Sequence, residues 1–188
     1  MERLTTAVIL VEGDSDRIAL ETLAARRGQD LAARGVEVLS IGGAHAIARH
    51  IARFGPRGAG LRLAGLCDAA EADLFLRALT AAGIGTPQTH ADLGRLGFGV
   101  CVADLEDELI RAVGVPGVEA AFAANGDLQA FRTLQNQVAW RGQPVPDQLR
   151  RFLGAGSRRK LRYARFLVEA LDDDRVPKPL DAVLAAVT

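Results

Sequence analysis

Two apolar patterns alternate along the first 115 residues. Thr6 to Val11 is apolar or β-branched at nearly every position, as in a central strand buried on both faces. Asp14 and Ser15 are good N-cap residues, and the helical apolar spacing that follows them ends near Gly28. Strand and helix signals then repeat three times, with strands predicted at 36–41, 61–67 and 98–102 and helices at 44–54, 69–82 and 105–113. This alternation predicts an α/β fold, a parallel sheet of about four strands flanked by helices.

The C-terminal third lacks strand signals. Helices are predicted at 118–124, 128–137, 147–153 and 158–171, and Pro177 and Pro179 precede a last short helix at 180–187. We therefore expect an α/β core over residues 1–115 and a helical extension over 116–188 that packs on the core.

Composition narrows the class of protein. Hydrophobic residues make up 49% of the 188, which argues against disorder, and no apolar run approaches the roughly 18 residues that span a bilayer. The N-terminus shows no export signal, so we expect a soluble, cytoplasmic protein without a membrane partner. Cys67 and Cys101 belong to no CxxC pair and are interpreted as reduced, partly buried thiols. The 23 basic and 23 acidic residues cancel, so nucleic-acid binding would depend on local patches.

Carboxylates stand at the predicted strand ends. Strand one delivers Glu12, with Asp16 one helical turn behind it; strand three delivers Asp68; strand four delivers Asp104, followed by Glu106. In an open parallel sheet these positions meet in one crevice. Crowded carboxylates need cations to remain ionised, and oxygen ligands without His or Cys select Mg²⁺ or Mn²⁺.

Each acid also has an ordinary structural interpretation. Asp14 and Asp16 suit a helix N-terminus, Glu71 and Asp73 suit a solvated helix face, and the acids from 104 to 108 suit the first turn of a helix. Capping does not require Glu12, however, and three acids end three separate strands. Taken together, the pattern favours a metal site.

One segment is strongly basic. Seven basic residues and no acidic one lie between Arg150 and Arg165, and this segment could neutralise backbone phosphates or form a solvated helix face. Lys160 is one of only two lysines, which favours a point charge at a phosphate. Tyr163, the only tyrosine, fits core packing better than a covalent nucleophile. The three histidines have no spacing that suggests a zinc site.

Several motifs resemble one known family. Val8 to Asp16 resembles the first motif of Toprim domains, and Leu66-Cys67-Asp68 resembles the end of their second acidic strand. Ile41-Gly42-Gly43, Asp104-Leu105-Glu106 and Arg159-Lys160 are similar to the OLD (overcoming lysogenization defect) endonucleases. The resemblance runs through most of the chain and implies a Toprim-like Rossmannoid sheet over 1–115.

The resemblance also implies an activity, two-metal cleavage of nucleic acid with DNA favoured over RNA. By matched position the implied metal ligands are Glu12, Asp16, Asp68, Asp104 and Glu106. Glu12 and Lys160 take the implied catalytic roles, Lys160 as the group that stabilises charge on the phosphate. The residues expected to bind nucleic acid are Arg158, Arg159, Lys160 and Arg162.

Two departures from the family pattern qualify this expectation. Toprim domains commonly carry Asp-x-Asp where this chain has Asp68-Ala69-Ala70, which leaves Glu71 or Asp73 as substitutes. No Gly-x-x-x-x-Gly-Lys-Ser/Thr phosphate loop is present, so the domain is expected to stand alone, with any ATPase acting in trans.

The prediction is therefore a Mg²⁺- or Mn²⁺-dependent endonuclease with two ions. One alternative is a non-catalytic nucleic-acid-binding or partner module that acts with a separate ATPase. Another is a phosphotransfer receiver domain, although Glu12-Gly13 and the long helical tail fit that class poorly.

Overall fold

A computed structural model describes residues 4–188 and has a four-stranded parallel sheet at its centre. The strands are β1 (Ala7–Val11), β2 (Val36–Ser40), β3 (Arg62–Asp68) and β4 (Phe98–Cys101). They lie in the order β2-β1-β3-β4, and each neighbouring pair is parallel. The predicted fold class is confirmed, and the carboxyl ends of all four strands point to one edge of the sheet.

Helices occupy most of the remaining chain. They are α1 (Asp14–Arg26), α2 (Ile47–Phe54), α3 (Ala72–Ala82), α4 (His90–Arg95), α5 (Leu105–Val113), α6 (Val115–Ala124), α7 (Leu128–Asn136), α8 (Val145–Gly154), α9 (Ser157–Glu169) and α10 (Lys178–Ala185). Short 3₁₀ turns cover Ala44–Ala46, Ala69–Glu71 and Asp173–Arg175. Within residues 4–188 no strand follows β4, and no helix there is long and apolar enough to cross a membrane.

Two details differ from the sequence-based prediction. The N-cap of α1 is Gly13 rather than Asp14 or Ser15, because Asp16 folds back onto the Gly13 N–H. The helix α4 was not predicted. It begins at a capping box in which the Thr89 side chain accepts a hydrogen bond from the backbone of Asp92.

The two faces of the sheet bury separate cores. Alternate residues of β1 point to opposite faces, so Ile9 contributes to one core and Leu10 to the other, and every residue of β1 is buried. The first core contains residues of α1 and of α5 to α10, whereas the second contains residues of α2, α3 and α4. Burial on both faces explains the continuous apolar run of β1.

The helices after β4 join the first core. Phe122, Phe131, Phe152 and Tyr163 form an aromatic cluster in which the Phe122 ring lies 4.9 Å from those of Phe152 and Tyr163. Helix α9 packs along α1, and this contact brings the start of α9 to the carboxyl edge of the sheet. Because these helices share a core with β1, the domain boundary near residue 115 stays a prediction.

Candidate metal centre

A cavity of about 400 Å³ opens at the carboxyl edge of the sheet. Its walls come from the loops after β1 and β3, from the start of α5 and from α9. All five predicted ligands line it together with the predicted catalytic lysine: Glu12, Asp16, Asp68, Asp104, Glu106 and Lys160. The structure therefore brings these six side chains together, as the parallel topology requires.

Three carboxylates form the tightest group, which we call the acidic triad: Glu12, Asp68 and Glu71. One carboxylate oxygen of each lies within 4.8 Å of the other two. Glu12 follows β1, Asp68 ends β3, and Glu71 lies in the 3₁₀ turn that follows. Sequence reasoning named Glu71 as a substitute for the missing second acid of the motif but left it out of the ligand set. The triad offers the oxygen ligands that bind a divalent cation.

Backbone groups hold Glu12 in place beside Asp68. Glu12 Oε1 accepts a hydrogen bond of 3.3 Å from the Asp68 N–H, and the Glu12 carbonyl accepts one of 3.0 Å from the Gly43 N–H. Gly43 has φ 108°, a value that side-chain-bearing residues rarely adopt, and it lines the cavity. The glycine pair noted in the sequence thus fixes the end of β1 beside the cavity.

Asp16 both caps the N-terminus of α1 and lines the cavity. Its Oδ2 accepts a 2.9 Å hydrogen bond from the Gly13 N–H. The capping interpretation is therefore confirmed, and it is compatible with a metal role because one carboxylate has several lone pairs to offer.

Asp104 and Glu106 are neutralised by basic side chains of the protein. Asp104 Oδ1 caps α5 through the Asp107 N–H at 2.8 Å, and Oδ2 pairs with Arg150 at 2.6 Å. Glu106, which is 7% exposed, pairs with the Lys160 ammonium at 3.3 Å. We call these four residues, Asp104, Glu106, Arg150 and Lys160, the paired half of the site.

Comparison with known proteins shows which known domain the fold resembles. Residues 4–69 match the family model for the Toprim domain of overcoming lysogenization defect protein-like proteins. Over these residues the chain is similar to an OLD-like Toprim domain. No curated protein sequence matches the chain.

Solved structures extend this likeness beyond residue 69. The chain is similar to the C-terminal region of the Xanthomonas campestris pv. campestris OLD protein, with a TM-score of 0.76 and 22% identity over 97% of this chain and 92% of that one. The C-terminal region of the Burkholderia pseudomallei OLD protein gives a TM-score of 0.71 and 21% identity over 98% of each chain. At this identity the likeness shows a shared fold, which includes the helices after the OLD-like Toprim sheet.

Burial and crowding perturb the carboxylates of the OLD-like Toprim site. Burial, together with the nearby charges of Glu12 and Asp16, raises the pKa of Asp68 to about 7. Burial also raises the pKa values of Glu12 and Asp16, and hydrogen bonds from backbone N–H groups offset only part of this rise. The ionised triad is thus unfavourable by itself, and a bound cation would stabilise it.

Lys160 stays charged in this site. Burial opposes its positive charge, but the carboxylate of Glu106 and the charges of Asp16 and Asp104 outweigh burial and raise the pKa of Lys160. Burial raises the pKa of Glu106, and Lys160 counteracts that rise. The ammonium is therefore a fixed positive charge on the wall of the cavity.

Several basic side chains of the segment from Arg150 to Arg165 are already engaged by other groups of the protein. Arg159 stacks on Phe152 at 4.0 Å and donates to backbone carbonyls, and Arg162 pairs with Asp127. Arg158 is exposed and forms no ion pair among residues 4–188. Arg151, which was outside the predicted binding set, is also exposed and forms none within that part of the chain.

The ordinary interpretations of three other side chains agree with the structure. Tyr163 is 1% exposed and its hydroxyl donates to Asp127 at 2.8 Å, which explains a raised pKa and excludes an accessible nucleophile. Cys67 and Cys101 are free and buried, and burial raises the pKa of both thiols. These groups support the fold around the cavity.

Proposed function

We propose that the chain is a Mg²⁺- or Mn²⁺-dependent nuclease that hydrolyses phosphodiester bonds of DNA or RNA, with DNA the favoured substrate. The observation that carries the proposal is the acidic triad, three carboxylates within 4.8 Å of one another, of which Glu12 and Asp68 line a cavity that also holds a charged lysine. Carboxylates alone suit hard divalent ions, and the OLD-like Toprim match adds support from the family. A cytoplasmic location, where nucleic acid is present, is part of the proposal.

The acidic triad would hold the first ion. Glu12, Asp68 and Glu71 supply oxygen ligands from the ends of two strands, β1 and β3, that the sheet fixes relative to one another. A pair of divalent ions in such a site supplies an activated water and stabilises the leaving oxygen. The triad needs little rearrangement, because its oxygens already face one another.

The remaining acids would hold the second ion. Asp16, Asp104 and Glu106 line the same cavity, and Arg150 and Lys160 orient the last two of them. In this proposal Asp104 keeps one oxygen on the α5 cap, and its other oxygen would exchange its pairing with Arg150 for the ion.

Lys160 would place its ammonium against the substrate phosphate. Its side chain reaches the cavity from α9, which is anchored by the aromatic cluster. A positioned ammonium stabilises the charge that develops on the phosphoryl oxygens. Arg158, Arg159 and Arg162 stand on the same helix and would contribute to backbone binding, with Arg158 the most accessible of them.

A non-catalytic nucleic-acid-binding module is the second candidate. The observation in its favour is the paired half of the site, because Arg150 and Lys160 already neutralise two of the five predicted ligands. A domain with one ion would bind phosphates without efficient hydrolysis. Any ATPase contribution would come from outside these 188 residues, since they contain no phosphate loop.

A cleavage assay separates the two candidates. Supercoiled plasmid, linear DNA and single-stranded RNA are incubated with Mg²⁺ or Mn²⁺ and either wild type or Asp68→Ala. We expect metal-dependent cleavage by wild type that falls by at least about 100-fold in Asp68→Ala, because the loss of direct ligands exceeds the 10- to 100-fold cost of outer-shell changes.

Asp73→Ala is the matched control. Asp73 is an exposed acid five positions along the same segment and does not line the cavity. It should cleave like wild type. Salt-sensitive DNA binding without cleavage by folded wild type would reject the nuclease and favour the binding module.

A further inference from the structure

A second groove, of about 700 Å³, adjoins the metal cavity. The two share Asp104, Glu106 and Lys160 as walls, so they are continuous. The far wall of the groove carries Trp140 and Arg151. A substrate phosphate at Lys160 would therefore have its neighbouring nucleotide within this groove.

Trp140 is an unusual residue at this position. It is the only tryptophan in a chain with 5% aromatic residues, and it is only partly buried against the first core. The remaining surface of Trp140 lines the groove beside charged side chains. An aromatic face open to a polar groove can stack on a nucleobase.

Hydrogen bonds fix the turn that carries Trp140. The buried side chain of Gln148 donates to the Trp140 carbonyl at 2.8 Å and accepts from Gln135 at 2.7 Å. Within the turn, the Trp140 N–H donates to the Gln137 carbonyl at 2.9 Å. These contacts tie the turn to α7 and α8, so the backbone that carries the indole is held in place before any ligand binds.

The charged residues that line the groove are three acids and three bases, Asp104, Glu106, Asp147, Arg150, Arg151 and Lys160. Arg151 is exposed and forms no ion pair within residues 4–188, whereas the neighbouring Arg150 is engaged by Asp104. Gln143, also on the wall, offers both a donor and an acceptor to a base edge. The groove thus combines a stacking face, an amide and an available cation.

We propose that this groove binds an unpaired nucleotide next to the scissile phosphodiester, with its base stacked on Trp140 and its phosphate near Arg151. The substrate class is therefore single-stranded or locally unpaired nucleic acid, because a base inside a duplex has no free face to offer. This inference rests on the proposed action of the adjoining cavity on nucleic acid.

Because Trp140 is the only tryptophan, its fluorescence reports on the groove directly. The protein is titrated in EDTA, which prevents metal-dependent cleavage, with a 12-nucleotide single-stranded DNA, the matched duplex and an RNA of the same sequence. We expect the single strand to quench the emission and to bind at least about fivefold more tightly than the duplex. The RNA arm shows whether the groove discriminates between the two sugars.

Variants test the stacking role by fluorescence anisotropy of a labelled strand. Trp140→Ala should weaken single-strand binding about tenfold, the order expected for one lost base stack, and Trp140→Phe should stay within about threefold of wild type. Arg151→Ala should lower the salt dependence by about one phosphate contact, whereas Arg77→Ala, an exposed arginine on α3, should not.

The inference fails if single-stranded DNA leaves the emission unchanged, if the duplex quenches equally well, or if Trp140→Phe loses as much affinity as Trp140→Ala. Its failure is distinct from failure of the nuclease proposal. Cleavage without quenching would overturn the groove alone, whereas quenching without cleavage in Mn²⁺ would overturn the nuclease and retain the groove.

Discussion

The two halves of the site neutralise their carboxylates in different ways. In the acidic triad, Glu12, Asp68 and Glu71 face one another, and none of them forms an ion pair with a basic residue among residues 4–188. In the paired half, Asp104 and Glu106 are matched by Arg150 and Lys160. The triad therefore has no neutralising partner within that part of the chain, and in our proposal a bound cation fills this role, whereas basic side chains fill it in the paired half.

This difference suggests an order of events. An ion would bind first at the triad, where it relieves repulsion, and a second ion would have to compete with two basic side chains. Residues of the paired half would therefore affect kcat more than the affinity for the first ion. Variants in each half should therefore change different measured quantities.

The largest expected effect is on turnover in Lys160→Ala. We expect kcat to fall about 100- to 1000-fold, as when one preorganised charge-stabilising group is removed. Affinity for the first ion should change little, because Lys160 pairs with Glu106 rather than with the triad. Lys178→Ala removes the chain's other lysine and should leave kcat unchanged. An equal decrease in kcat in the two variants would show that Lys160 has no specific role in the mechanism.

Next in size is the effect of Glu71→Gln on metal affinity. Loss of one triad charge should weaken Mn²⁺ binding by at least about tenfold, measured by calorimetry. Asp73→Asn, on the same segment but exposed, serves as the control and should bind as wild type. If both variants bind Mn²⁺ equally well, Glu71 is not a ligand.

A smaller effect is expected for Arg150→Ala. The substitution releases Asp104 from its ion pair. The affinity of the weaker of two Mn²⁺ binding events should then increase by about two- to fivefold, which corresponds to the usual free energy of a partly exposed ion pair. Arg77→Ala is the control in the same calorimetric titration. A weaker second event in Arg150→Ala would mean that Arg150 supports the ion rather than competing with it.

The smallest effect is a dependence of stability on pH. Because the pKa of Asp68 is raised to about 7 in the folded chain, the folded state binds more protons than the unfolded state between about pH 4 and 7. Stability of the metal-free protein should therefore fall as pH rises through this window. We expect Tm in EDTA to be about 2–4 °C lower at pH 8 than at pH 5.5.

Two additions sharpen the pH measurement. Saturating Mn²⁺ should remove the loss at pH 8, because it stabilises the ionised triad. Asp68→Asn should reduce the loss in EDTA. A Tm in EDTA that rises from pH 5.5 to 8 would contradict the proposal that ionisation of Asp68 destabilises the metal-free protein.

The sequence predicted the sheet and the gathering of acids well. Continuous apolar runs such as β1 and the acids that follow β1 and β3 depend on local pattern and on the rule that parallel strands end at one edge. The helix α4 was missed because it is short, although Thr89 and Asp92 carry a capping-box signal.

Contacts distant in sequence could not be predicted. The pairing of Asp104 with Arg150 joins residues 46 positions apart, and it depends on how α8 docks against α5. The stacking of the Arg159 side chain on Phe152 also depends on helix packing, because Phe152 belongs to the aromatic cluster. Glu71 stayed ambiguous because its direction is set by a 3₁₀ turn rather than by strand alternation.

A Mn²⁺ titration of wild type and Asp68→Asn at pH 8, with free Mn²⁺ quantified by electron paramagnetic resonance, tests directly whether the acidic triad binds metal. We expect saturable binding by wild type and at least about tenfold weaker binding by Asp68→Asn, because the triad loses a charged ligand. Equal binding by the two proteins, or no saturable binding by folded wild type, would contradict the claim that the acidic triad is a metal site.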